Sequence, residues 1–157
     1  MQDYGDREEI TEVRGDNSDK KRDASNRDPL TEKIIAACYQ VHNELGPGFV
    51  ERIYLSALKA ALKKLELNYQ EEKEFAVLFQ GEKIGKFRTD LVVEDRVIVE
   101  LKALEGKMPR IFESQVISYL KASGLNVGLL VNFGNRSCEV RRLMNHHHNR
   151  RNLSKSP

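Results

Sequence analysis

Two acids and a lysine are spaced to share one surface: Asp90 stands ten residues ahead of Glu100, and Lys102 follows two residues later. All three lie inside a segment, residues 86–102, that is otherwise largely apolar on either side of a short charged stretch. Side chains alternate along a strand with period two, so Glu100, Lys102 and Ile98 take one face while Val97, Val99, Leu101 and Ala103 take the other. An aspartate, a glutamate and a lysine on one strand surface can hold a divalent metal and position a water. That is the equipment of metal-assisted phosphodiester hydrolysis.

The geometry turns on a hairpin. A three-residue loop over Glu94-Asp95-Arg96 pairs Val93 with Val97 and sets Asp90 opposite Glu100. Neighbouring strands lie roughly 4.8 Å apart, close enough for one cation to bridge the two carboxylates. A two-residue loop over Glu94-Asp95 instead pairs Asp90 with Val99 and takes Asp90 off the shared face. The pattern leaves both registers open, because Leu91-Val92-Val93 is apolar on both sides.

The surrounding elements follow from periodicity and punctuation. Asp28-Pro29 supplies an N-cap and a first-turn proline. Leu30, Ile34, Cys38, Val41 and Leu45 then recur at helical spacing until Gly46-Pro47-Gly48 stops the helix. A second helix is expected from about Val50 to Leu65, burying Ile53, Ala57, Leu58, Ala61, Leu62 and Leu65. Three strands follow as an antiparallel meander: one alternating Phe75, Val77 and Phe79, a turn at Gln80-Gly81-Glu82, then the strands of Asp90 and Glu100. Pro109 opens a third helix with Phe112, Val116 and Leu120, ended by Gly124. Asn126 to Phe133 reads as a buried strand reached by a crossover, and Ser137 to Leu143 as a further edge strand. The order predicts a mixed α/β (α+β) sheet with helices packed on it.

At 157 residues the chain makes one domain, expected over 29–143. Residues 1–28, with 9 acids and 6 bases and little that is apolar, read as a disordered tail. Residues 144–157 read as a polar tail within a basic C-terminal stretch, 136–157, of 6 bases and 1 acid. The net charge of +2 is compatible with a polyanionic partner without requiring one. Cys38 and Cys138 are too few for a zinc site or an iron–sulfur cluster, and Cys38 falls on an apolar helix face. With no long apolar run and no signal-like start, the chain is expected to be cytoplasmic and away from membranes.

A second set of residues carries a resemblance. Gly48-Phe49-Val50-Glu51-Arg52-Ile53-Tyr54 is similar to the signature of the GxxExxY proteins, a branch of the PD-(D/E)XK nuclease superfamily. The likeness extends through Val41-His42, Leu45 to Gly48, Arg88-Thr89-Asp90, Val97 to Ala103, Glu113-Ser114-Gln115, Tyr119-Leu120-Lys121 and Val127 to Phe133. It covers roughly residues 30–134. The resemblance implies an αβββαβ restriction-endonuclease-like core with an extra N-terminal helix and a Mg2+ or Mn2+ site. It implies Asp90 and Glu100 as metal ligands, with the Leu101 carbonyl a further ligand. Lys102 would orient the attacking water, and Glu51 would be a helix-borne acid completing the site. Gln115 and Tyr119 resemble a helix pair lying beside nucleic acid, and His42 is an outside candidate for the metal. Thr89 stands where the superfamily motif has proline.

Each residue also has a plainer reading. Asp90, Glu100 and Lys102 can form a structural ion-pair cluster, and Glu51 can simply complement a helix dipole. Arg88 can meet a phosphate or pair with an acid. His146-His147-His148 is a run without site geometry. Two functions follow: a metal-dependent nuclease acting on nucleic acid, DNA before RNA, or a catalytically inactive nuclease-fold module that binds nucleic acid or a protein partner.

Overall fold

The computed structural model describes residues 28–146. The tail expected over 1–28 lies outside the described residues except for Asp28, as does the chain beyond His146. Helix α1 runs Pro29–Leu45 and begins where expected: the Asp28 carboxylate accepts from the Leu30 N–H and from the Thr31 hydroxyl. Helix α2 runs Glu51–Lys64. Strands β1 (Tyr69–Glu71), β2 (Glu74–Phe79), β3 (Glu82–Arg88), β4 (Leu91–Val93) and β5 (Val97–Lys102) follow. Helix α3 (Arg110–Ser123) then leads into β6 (Val127–Asn132) and β7 (Glu139–Met144).

The strands form two sheets, where a single meander was expected. The main sheet has the order β1-β4-β5-β6-β7, with β5 and β6 parallel and every other pair antiparallel. Strands β2 and β3 make a hairpin sheet of their own. The long strand expected to carry Asp90 is broken at Thr89-Asp90, where the Thr89 N–H donates to the Lys73 carbonyl and the Asp90 carbonyl accepts from Glu72. The short strand β1, invisible as a hydrophobic pattern, fills the edge beside β4.

Both faces of the main sheet are covered. On one, Leu91, Val93, Val97, Val99, Leu101, Leu129 and Val131 pack with Ile34, Cys38, Tyr54, Leu58 and Leu62 of α1 and α2. On the other, Val92 and Ile98 pack with Leu120, and Leu130 packs with Val116 and Met108. This double cover explains why Leu91-Val92-Val93 lacked alternation. Three apolar positions depart from expectation: Ile53, Leu65 and Phe79 are exposed, and Tyr54 takes the core position at the start of α2. Phe79 sits at the tip of the β2–β3 hairpin, beyond the reach of any covering layer. Among the described residues no helix is long and apolar enough to cross a membrane.

Candidate metal centre

The hairpin register is the one that faces Asp90 with Glu100. Val93 pairs with Val97 and Leu91 with Val99, so the next positions outward are 90 and 100. Two successive residues in the left-handed region, Glu94 (φ 52) and Asp95 (φ 53), make the tight reversal, closed by the Arg96 N–H donating to the Val93 carbonyl. Asp90 and Glu100 are then tied to each other through the backbone. The Asp90 N–H donates to Glu100 Oε1 at 3.0 Å, and the Leu101 N–H donates to Asp90 Oδ2 at 2.8 Å. Each carboxylate is thus fixed by an amide of the other's strand, while the two side chains lie within hydrogen-bonding reach of one another.

Burial makes this arrangement costly. Glu100 is only 6% exposed. Its carboxyl is pushed up to about 8, first by desolvation and then by the charge of Asp90, with Lys102 partly compensating. Glu51, the first residue of α2, is also raised, by desolvation and then by Asp90, and is lowered by Lys102. A helix N-terminus favours an anion. The upward shift therefore reports burial first and the nearby Asp90 charge second.

Three supports hold the flanking groups. Lys102 Nζ rests over the Phe112 ring of α3, 4.2 Å from its centroid, which fixes a flexible side chain by a cation–π contact. Glu51 is placed by the preceding turn. Gly46 and Gly48 adopt positive φ (67° and 111°), and the buried Tyr54 hydroxyl donates to the Gly46 carbonyl at 2.6 Å while accepting from the Phe49 N–H at 3.2 Å. The Tyr54 ring stacks on Phe133 at 4.8 Å, and the Phe133 N–H donates to the Lys102 carbonyl. One tyrosine thus joins the turn before Glu51 to the end of the strand bearing Lys102.

Loops at the strand ends are stapled by side-chain amides. Buried Asn132 accepts from the Leu104 and Gly134 N–H groups and donates to the Leu104 carbonyl; Asn135 makes the same exchange with Gly106. Gly134 is required there, since a Cβ would fall 2.4 Å from the Leu104 backbone. Neither asparagine nor Phe112 was singled out from sequence. A polar residue closing the apolar run of β6 was the available signal for Asn132.

The remaining candidates divide. Tyr119 stacks on Phe87 at 4.2 Å, and Phe87 on Phe75 at 5.3 Å, bracing the β2–β3 hairpin against α3. The Tyr119 hydroxyl hydrogen-bonds Gln115, and its pKa is raised by desolvation and by the Glu100 charge, so this pair borders the acids. Arg88 is exposed and pairs with Glu74 and Glu72, not with Glu100. His42 is buried; its Nε2 lies 2.7 Å from the Asn135 carbonyl and its ring stacks on Phe133.

Among the described residues no three His, Cys, Asp or Glu side chains close into a cage. The donor set is two carboxylates, oxygen ligands only. It fits a hard, partly hydrated cation such as Mg2+, which binds through one or two carboxylates and retains water. It also fits on electrostatic grounds, since a divalent charge relieves the repulsion that raises Glu100.

Comparison with known proteins agrees in outline. The family described as the PD-(D/E)XK nuclease superfamily matches residues 28–143. Among curated proteins no relative matches. A solved structure titled "Crystal structure of SSO0001" is similar over 59% of this chain at 20% identity and a TM-score of 0.46. The chain spans about half of that protein, 48%, and the likeness carries no argument at that score.

Proposed function

Since the chain belongs to the PD-(D/E)XK nuclease superfamily, whose members generally use divalent metal ions, we propose that it is a Mg2+- or Mn2+-dependent nuclease hydrolysing phosphodiesters, with DNA as the preferred substrate. Within the superfamily we assign it to the GxxExxY branch, on the turn, acid and tyrosine of Gly48, Glu51 and Tyr54. The observation that carries the reading is the reciprocal clamp between Asp90 and Glu100, two acids held face to face at a cost in stability. An ion-pair cluster kept for stability alone would not bury its glutamate beside an aspartate.

Asp90, Glu100 and the Leu101 carbonyl would hold the cation, with Glu51 nearby. When bound, the cation acts as a Lewis acid toward the phosphoryl group and eases deprotonation of water. Lys102, steadied by Phe112, donates to the attacking water and meets negative charge as it develops on phosphate. Gln115 and Tyr119 border the acids where a polynucleotide backbone would run, and Tyr119 is held in place by Phe87. Arg88, already paired to Glu74, contributes to phosphate binding only if that pair opens.

The test is cleavage of single- and double-stranded DNA and RNA by the purified protein with Mg2+ or Mn2+. Loss of cutting in Asp90→Asn with unchanged circular dichroism supports the assignment. Absence of cutting on every substrate and metal, with no metal-dependent rise in Tm, refutes it.

A further inference from the structure

The segments that carry Glu51 and Phe112 expose large apolar side chains beside two exposed arginines, Arg52 and Arg110, a mixture suited to bases and phosphates together. Nine large hydrophobic side chains are exposed among the described residues, and four of them cluster in sequence around the centre. Phe49 and Val50 immediately precede Glu51, Ile53 follows it, and Ile111 precedes Phe112, whose ring carries Lys102. Val50 and Ile111 are 68% and 67% exposed, and Phe49 is 49% exposed. The Phe49 ring stands edge-on to Tyr54 at 6.2 Å and 77°, so a partner meets a face that is already oriented.

Charge argues the same way. Residues 28–146 carry 17 basic and 16 acidic side chains. The cations closest in sequence to Asp90, Lys86 and Arg88, are both held by Glu74. A duplex presents one negative charge per roughly 1.7 Å of its length and is bound chiefly through its phosphates. Bases inside a duplex cannot reach a phenylalanine at the rim. Unpaired bases can, and stacking on an aromatic ring is worth about 1–3 kcal/mol per base without regard to sequence.

Resting on the nuclease reading above, we infer that the substrate enters as an unpaired strand. Its bases stack on Phe49 and pack on Val50 and Ile111, while the intervening phosphate lies at Asp90 and Glu100. A free single strand and the frayed end of a duplex present the same chemistry.

The experiment is binding with Ca2+ in place of Mg2+, followed by 2-aminopurine fluorescence. Probes are 12-nucleotide DNA and RNA strands, the blunt duplex, and a duplex with a frayed end. The strand is expected to bind at least tenfold more tightly than the blunt duplex, with quenching of the fluorophore. Phe49→Ala should weaken strand binding about tenfold and Phe49→Tyr should restore it. Ile111→Ser, on a largely exposed side chain, should weaken it about threefold with no change in Tm. Equal or tighter binding of the blunt duplex overturns the inference, as does unchanged strand binding in both Phe49→Ala and Ile111→Ser. Sedimentation showing that these substitutions dissociate a dimer also overturns it, the patch then belonging to a second copy. Metal-dependent cutting of intact duplex alone would sink this inference and leave the nuclease assignment standing, whereas no binding and no cutting of any polymer would end both.

Discussion

Glu100 is the residue whose environment says most about the chemistry. Its folded carboxyl, at about 8, sits above its ordinary value of 4.5, so the folded chain binds that proton more tightly than the unfolded chain. The contribution of Glu100 to stability without metal is therefore greatest below about pH 4.5 and declines as pH rises toward 8. Thermal melts of metal-free protein should show Tm falling across that window, and Glu100→Gln should flatten the fall. For catalysis, Lys102→Ala should reduce the cleavage rate by about 100- to 1,000-fold, the usual loss for one group stabilising developing charge. Single-turnover assays at saturating substrate read this directly, with the melting curve unchanged. Tyr54→Phe keeps the stack on Phe133 but removes two hydrogen bonds. It should cost about 1–3 kcal/mol in urea unfolding. Because it frees the turn before Glu51, it should also weaken Mn2+ binding measured by calorimetry.

At the scale of elements, the helices and the core strands were legible in sequence because their punctuation is local: Asp28-Pro29, Gly46-Pro47-Gly48, Pro109 and Gly124 mark ends that the structure keeps. The facing of Asp90 and Glu100 was legible only as one of two registers. The choice shows only in the pairing of Val93 with Val97, around Glu94 and Asp95 at positive φ, a conformation that Asp favours mildly and Glu does not announce. The break at Thr89-Asp90 was not legible at all, since no glycine or proline marks it and only the contacts with Lys73 and Glu72 reveal it. Asn132 itself could be noticed as the polar residue closing β6, but not its partner Leu104, 28 residues away in sequence. Gly134→Ala forces a Cβ against the Leu104 backbone and should destabilise the protein by about 1–3 kcal/mol, seen as a lower urea midpoint at constant slope.

For the molecule as a whole, a main sheet covered on both faces leaves the acids near the end of β5, between α2 on one side and α3 with the β2–β3 hairpin on the other. Cation binding there draws on the stability of every layer, because it favours only the assembled state. Titration of Mg2+ should raise the global Tm cooperatively, most strongly at and above pH 8, where the cation no longer has to displace a proton from Glu100. EDTA should reverse the gain, and Asp90→Asn should abolish it. A rise that survives in that variant would place the cation elsewhere.

The burial of Glu100 has a consequence for drift. A descendant of this protein that gave up hydrolysis would become sturdier by exchanging that one acid for its amide, so relaxed selection should erase it early. Its retention or loss across natural variants is then a molecular fossil record, dating which lineages still cut and which have merely inherited the blade.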